Sequence, residues 1–280
     1  MTDSESPQSV PNLVTTADAP SGCIPLVEPY DAHLRFVENC PEGTVVLARM
    51  SDIEPFIRRG ETASTLFPEK IAVATTTTVN DEYLDELDWQ REAELVHKFN
   101  PTFHIPCDVP VYEETDRSER LERIEGYLDR TVAVAQELAG TDIELIPLLK
   151  GVNIEEWRTV SRVFDLLGVE YYAYYGTQYF LSGAGFGSLL EDLRNVVCQM
   201  PDREIFLIGL LAPQMLERLP PQVVAASGLH QWRTWVSLRE VPTIVSRSRY
   251  ESLRTEVASA LGEGQTPLGV WTDNSQKEVV

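Results

Sequence analysis

Between Thr44 and Leu229 short apolar runs alternate with segments whose apolar residues recur every three or four positions, and few folds accept that rhythm. The runs "TVVLARM" (44–50), "KIAVATTTT" (70–78), "PTFHIPCDV" (101–109), "IELIPLLKG" (143–151), "EYYAYYGT" (170–177), "EIFLIGLLA" (204–212) and "QVVAASGL" (222–229) read as strands. A helix is expected after the first of them, over 53–59. After the third, Leu121, Ile124, Leu128, Val132, Ala135 and Leu138 share one face of a long helix, which Gly140 ends. Asn153 is placed to cap the next helix and Gly168 to close it, and further helices are expected over 188–200 and from Pro213. Strands that alternate with helices form parallel βαβ units. Runs apolar on both faces, such as Ile205 to Leu211, suit strands covered on both sides. Seven units fit before Leu229, and "VPTIVSRS" (241–248) offers an eighth strand. The count favours an α/β fold of the (β/α)8 TIM-like barrel kind over an open doubly wound sheet. Pro106 and Pro147 interrupt central strands, so the barrel is expected to be irregular there, through a bulge or an early end of pairing. The acidic stretch between Thr78 and Pro101 shows no strand pattern.

A single domain over 26–261 accounts for this pattern, with a disordered acidic tail over 1–25 and a polar C-terminal tail over 262–280. The chain has 44 acidic and 23 basic side chains, a formal charge of −21, and only four lysines (Lys70, Lys98, Lys150, Lys277). Such a surface repels itself in dilute buffer and is screened by salt, which points to a high-salt cytoplasm, against the alternative of a merely acidic mesophilic protein. It also argues against general nucleic-acid binding through counterion release, though not against a local basic site. No apolar run reaches transmembrane length and the N-terminus lacks a signal-peptide pattern, so a cytoplasmic protein without membrane contact is expected. Cys23, Cys40, Cys107 and Cys198 are scattered, and with His33, His97, His104 and His230 they complete no zinc spacing. Free thiols, no metal and no cofactor are expected.

In a parallel barrel the chemistry gathers at the C-terminal ends of the strands. The residues there are Asp52, Thr76 to Thr78, Asp108, Lys150 with Gly151, Gly176 with Thr177, Gly209, and Ser227 with Gly228 and His230. Asp108 is either an acid/base or hydrogen-bonding group in a pocket, or a turn residue above a buried His104, with which it shares strand parity. Lys150 suits a Schiff-base amine, or an anion- or carboxylate-binding ammonium. Gly176 suits close approach by a ligand or a tight turn. Arg247, Arg249 and Arg254 in "SRSRYESLR" (246–254) are the best candidates for phosphate contact, against a plain solvated helix face.

The order of these strand-end features resembles the tRNA-guanine transglycosylases and the related enzymes that insert 7-deazaguanines into DNA. "TVVLARMSDIEPFIRRG" and "KIAVATTTTVN" are similar to the family's first two strands, and "FHIPCDVPVYEE" resembles the strand whose aspartate reads the guanine-like base. "IPLLKGV" stands where the family has Gln-Gly-Gly, "YYAYYGTQ" where it has Gly-Gly-Leu, and "IFLIGLLAPQMLERLPP" where it has Gly-x-Gly-x-Pro. In those enzymes a carboxylate attacks the sugar C1′, guanine leaves, and a deazaguanine takes its place. The resemblance implies that Asp108 binds the base edge, with Lys150, Gly151, Gly176, Thr177 and His230 around the base. If the chain is active, Asp108, Asp52 or an acid from the 81–88 stretch must serve as the catalytic carboxylate, in a barrel without the family's zinc subdomain. The partners it implies are a nucleic acid, DNA favoured over tRNA, and a deazapurine base.

This sequence departs from that pattern where the nucleophile belongs. "VVAASGLHQW" has no carboxylate, the family's Asp-Ser-Gly-Gly-Phe-Gln segment is not visible between Thr78 and Pro101, and the zinc cysteines are absent. Two functions follow. One is a pentosyltransferase exchanging guanine for a 7-deazaguanine. The other is a catalytically degenerate barrel acting as a binding or assembly subunit of a nucleic-acid modification system, with a protein partner or as a homodimer.

Overall fold

A computed structural model describes residues 12–238 and 240–262. Within them lie strands β1 (Gly22–Ile24), β2 (Val45–Arg49), β3 (Ile71–Thr75), β4 (Phe103–Ile105), β5 (Glu144–Leu145), β6 (Tyr171–Tyr175), β7 (Glu204–Ile208) and β8 (Val223–Ser227). Between and after them run helices α1 (Asp31–Glu38), α2 (Met50–Ile57), α3 (Ala63–Leu66), α4 (Asp81–Glu86), α5 (Trp89–Phe99) and α6 (Arg117–Glu137). The remaining helices are α7 (Ile154–Leu167), α8 (Thr177–Leu181), α9 (Gly185–Gln199), α10 (Pro213–Leu216), α11 (Leu229–Val236) and α12 (Thr243–Leu261).

The protein is an α/β fold with two parallel four-stranded sheets, ordered β2-β3-β4-β5 and β1-β8-β7-β6. Single parallel bridges join their edges. Leu26 bridges Leu47, with Leu47 N–H donating to the Pro25 carbonyl at 3.0 Å and Val27 N–H to that of Leu47 at 2.7 Å. Leu148 bridges Ala173, with Ala173 N–H donating to the Pro147 carbonyl at 2.8 Å.

The two prolines act as expected through early ends of pairing. β4 stops at Ile105 and β5 at Leu145, each just before the residue that lacks an N–H or one further along. Beyond β5 the side chain of Tyr127 on α6 takes over, its hydroxyl accepting from Leu148 N–H at 2.6 Å. The stretch between Thr78 and Pro101 is α4 and α5, capped by Asn80 and Asp88. Asn153 caps α7 and Gly168 closes it in the left-handed conformation. The run Ile205 to Ile208 is buried on both faces.

Two sequence expectations are corrected. Residues 241–248 form no strand: Pro242 is the N-cap of α12, whose buried Ser246, Tyr250, Leu253, Val257 and Ala260 follow helical spacing. The eighth strand is β1, inside the segment expected to be tail. Its three residues pair with β8, Gly22 to Ala225 and Ile24 to Ser227, and upstream of it Val14 is buried and Leu13 bridges Leu145. A short strand held by partners some 200 positions away leaves almost no local signature. The rest of the expected tails, residues 1–11 and 263–280, lies outside the described residues. No helix among the described residues is long and apolar enough to cross a membrane.

Candidate functional site

The turn after β4 is built around a buried carboxylate. Glu92 on α5, 2% exposed, accepts from Cys107 N–H at 2.8 Å and meets His104 Nε2 at 2.7 Å. The other ring nitrogen of His104 lies 3.1 Å from the Ala74 carbonyl, which can only accept, so Nδ1 carries a proton. Cys107 has a φ of 58°, and the next N–H, that of Asp108, donates to Thr76 Oγ1 at 3.0 Å. His104 therefore faces α5 while Asp108 meets Lys150 at the end of the neighbouring strand. Their expected common direction fails because the strand stops at Ile105 and the chain kinks at Cys107.

Lys150 Nζ donates to Asp108 Oδ1 at 2.7 Å, with the two side chains 11% and 10% exposed. Lys150 is thus placed as a carboxylate-binding ammonium. Gly151 behind it has a φ of 125°, and its carbonyl accepts from Trp157 Nε1 at 3.0 Å. A Cβ there would come within 2.9 Å of Glu156 Cβ. Gly176 serves the chain's own packing: its N–H donates to the Ile208 carbonyl at 2.7 Å, and a Cβ would lie 3.0 Å from Leu207 Cδ1.

A cavity of about 970 Å³ opens at the C-terminal ends of the strands, and neither Asp108 nor Lys150 is among its lining residues. Its walls include Arg49, Thr78, Tyr175, Thr177, Gly209, Ser227, His230 and Arg233. Tyr175 on this wall has its hydroxyl pKa raised by burial, partly offset by a hydrogen bond with Thr177, and raised further by the Asp108 charge. Arg49 ends β2 and binds two carboxylates, Asp52 at 2.6 Å and Glu28 at 2.9 Å; Glu28 also takes Arg233 at 3.2 Å. Burial pushes the Asp52 pKa up against the opposing pull of Arg49. Glu28 N–H donates to Nδ1 of buried His33 at 3.0 Å, and the Tyr30 hydroxyl lies 2.6 Å from Nε2.

Of the expected site residues, the structure brings together Asp108 and Lys150, and around the cavity Thr177 and an exposed His230. Asp52 stands behind Arg49. The three arginines are elsewhere. Arg247 pairs with Glu251 at 2.9 Å, and Arg249 is exposed on α12. Arg254 lines a second cavity, which includes Val45, Ile71, Phe103 and Glu144 at the opposite, N-terminal ends of the strands. They do not join the residues at the C-terminal ends of the strands. Glu28, Arg49, Arg233, Tyr30 and His33 escaped the sequence reading. An arginine closing an apolar strand was a usable signal for Arg49, whereas Glu28 follows a strand hidden in an apparent tail. Among the described residues no group of three or more His, Cys, Asp or Glu side chains is arranged to hold a metal ion.

No protein-family model matches the sequence, and no curated protein matches it significantly.

Proposed function

We propose that the two sheets close into one irregular (β/α)8 barrel and that its C-terminal mouth binds a guanine-type base. The bridges Leu26–Leu47 and Leu148–Ala173 support closure, since they link the free edges in the order a barrel requires. The Asp108–Lys150 pair carries the base-binding reading. A guanine or 7-deazaguanine edge presents N1–H and N2–H as donors beside O6 as an acceptor. A carboxylate next to an ammonium is the complementary arrangement, with Asp108 accepting and Lys150 donating. Tyr175 on the cavity wall offers a ring face on which the base can stack.

The protein acts as a binding subunit in nucleic-acid modification, DNA favoured over tRNA, and does not itself exchange the base. The end of β8, where the resembling enzymes carry their nucleophile, has Ser227, Gly228, Leu229 and His230. Asp52, Asp108 and Glu28 are each engaged by a cation. Equilibrium binding in molar KCl tests this. Guanine and 7-deazaguanine should bind in preference to adenine, and Asp108→Asn should weaken them about tenfold or more. Equal affinity for adenine would refute the assignment.

One observation favours the pentosyltransferase reading instead: Asp52, bound to the cavity-wall Arg49, has its carboxyl pushed up by burial, as a general acid requires. Release of labelled guanine from DNA or tRNA, lost in Asp52→Asn, would establish exchange and overturn the binding-only role.

A further inference from the structure

We propose that the β7–β8 side of the mouth is a phosphoryl-binding site, distinct from the Asp108–Lys150 side. Three in-register positions, Tyr175, Ile208 and Ser227, close the ends of β6, β7 and β8, and all three line the cavity. Paired residues on neighbouring parallel strands point to the same face, so the Ser227 side chain shares the cavity-facing row. Ser227 is fully buried, and its hydroxyl has no hydrogen-bond partner among the described residues. Thr78, on the cavity wall, has a second unpartnered hydroxyl. Leaving such groups unsatisfied costs stability, which a ligand oxygen would recover.

The residue after Ser227 is the N-cap of α11, and it is Gly228, which brings no capping side chain. The first turn of an uncapped helix presents N–H groups and the positive end of its dipole. A Cβ on Gly228 would lie 2.5 Å from Gln231 Oε1, so a neutral oxygen already occupies the space over this turn. A phosphoryl oxygen is the charged equivalent. The cavity wall also carries two guanidiniums, Arg49, held by Glu28 and Asp52, and Arg233, held by Glu28, beside the carboxylate of Glu240. In parallel barrels the loops after the seventh and eighth strands and a following helix N-terminus form a suitable cradle for phosphate. The group could arrive as the monoester of a free nucleotide or as the diester of a strand, and both present the same oxygens to this wall.

Calorimetric titration at fixed KCl with inorganic phosphate tests the site without any base present. One phosphate should bind per chain and raise the thermal midpoint. Ser227→Ala and Arg233→Gln should each weaken it about tenfold, the loss expected for one hydrogen bond to a charged group. Arg247→Gln, at an exposed position of α12 outside the cavity, should leave the affinity unchanged. Ser227→Ala removes only an unpartnered hydroxyl, so its own fold should persist; its thermal midpoint without phosphate checks this. Absence of binding, or binding unaltered in Ser227→Ala, would overturn the proposal. A nucleoside monophosphate that outcompetes phosphate better than a single-stranded oligonucleotide identifies the monoester, and the reverse order identifies the strand. Free guanine carries no phosphate, so its titration succeeds or fails independently and separates this site from the base-reading pair.

Discussion

Replacing Lys150 by methionine should destabilise the protein far more than the loss of a surface charge. The Asp108–Lys150 contact is 2.7 Å long and both side chains are about nine-tenths buried. At that distance and an effective dielectric of about 20, Coulomb's law gives an attraction of roughly 6 kcal/mol. Desolvation of both ions offsets much of it. Removing one partner, however, leaves the other carboxylate buried without compensation, at a cost of about 3–5 kcal/mol. The Asp108 N–H bond to Thr76 and the Glu92 contacts hold the turn in place, so the orphaned carboxylate cannot simply swing into water. Urea unfolding followed by far-UV circular dichroism, at fixed molar KCl, measures the loss. The double variant Asp108→Asn with Lys150→Met should regain most of it, because the uncompensated charge is gone. A loss below about 1 kcal/mol in Lys150→Met, or no recovery in the double variant, would show that the pair is not a buried charge unit.

Other outcomes follow from the same geometry. Glu54 is buried, and although burial raises its pKa, hydrogen bonds from Arg91, Arg58 and Tyr83 outweigh that and hold it below its ordinary 4.5. A depressed carboxyl stabilises the fold above 4.5 and loses that contribution as pH falls through its folded value. Glu54→Gln should therefore cost about 2 kcal/mol at neutral pH and flatten the acid limb of the stability profile, read by urea midpoints against pH. Among the four thiols, only the exposed Cys198 should react rapidly with a disulfide reagent in the native state. Burial pushes Cys23 up to about 12 and Cys40 to about 11, and raises Cys107 well above its usual range. A second fast thiol in a stopped-flow trace would contradict this. Gly209→Ala should cost about 3 kcal/mol or prevent folding, since its Cβ would sit 2.4 Å from the Thr177 backbone nitrogen at a φ of 115°. A thermal midpoint equal to wild type would refute the close approach.

Much of the scaffold is legible in the sequence because its signals are local. The helix α7 announces both ends with Asn153 and Gly168, and β7 reads as an interior strand because every residue from Ile205 to Ile208 is apolar. The prolines at 106 and 147 mark where pairing stops. The start of α12 is not legible because residues 241–248, which include its Pro242 cap and first turn, resemble a strand, and the helical spacing becomes clear only further along. The candidate site was legible in part. Asp108 and Lys150 stand at strand ends by position alone, but their contact joins residues 42 apart in sequence and depends on the kink at Cys107.

The sequence by itself determined a succession of parallel strand–helix units and the roster of polar residues at their ends, because periodicity and capping act over a few residues. Only the tertiary structure decided which of those residues meet. Hydrogen bonding across strands brought β1 out of an apparent tail to β8 and so placed Glu28 between two arginines. It set Arg254 at the far ends of the strands from Asp108. It also turned His104 toward Glu92 while Asp108 found Lys150. Contacts of that kind are fixed by the packing of distant segments against one another, and no local pattern encodes them.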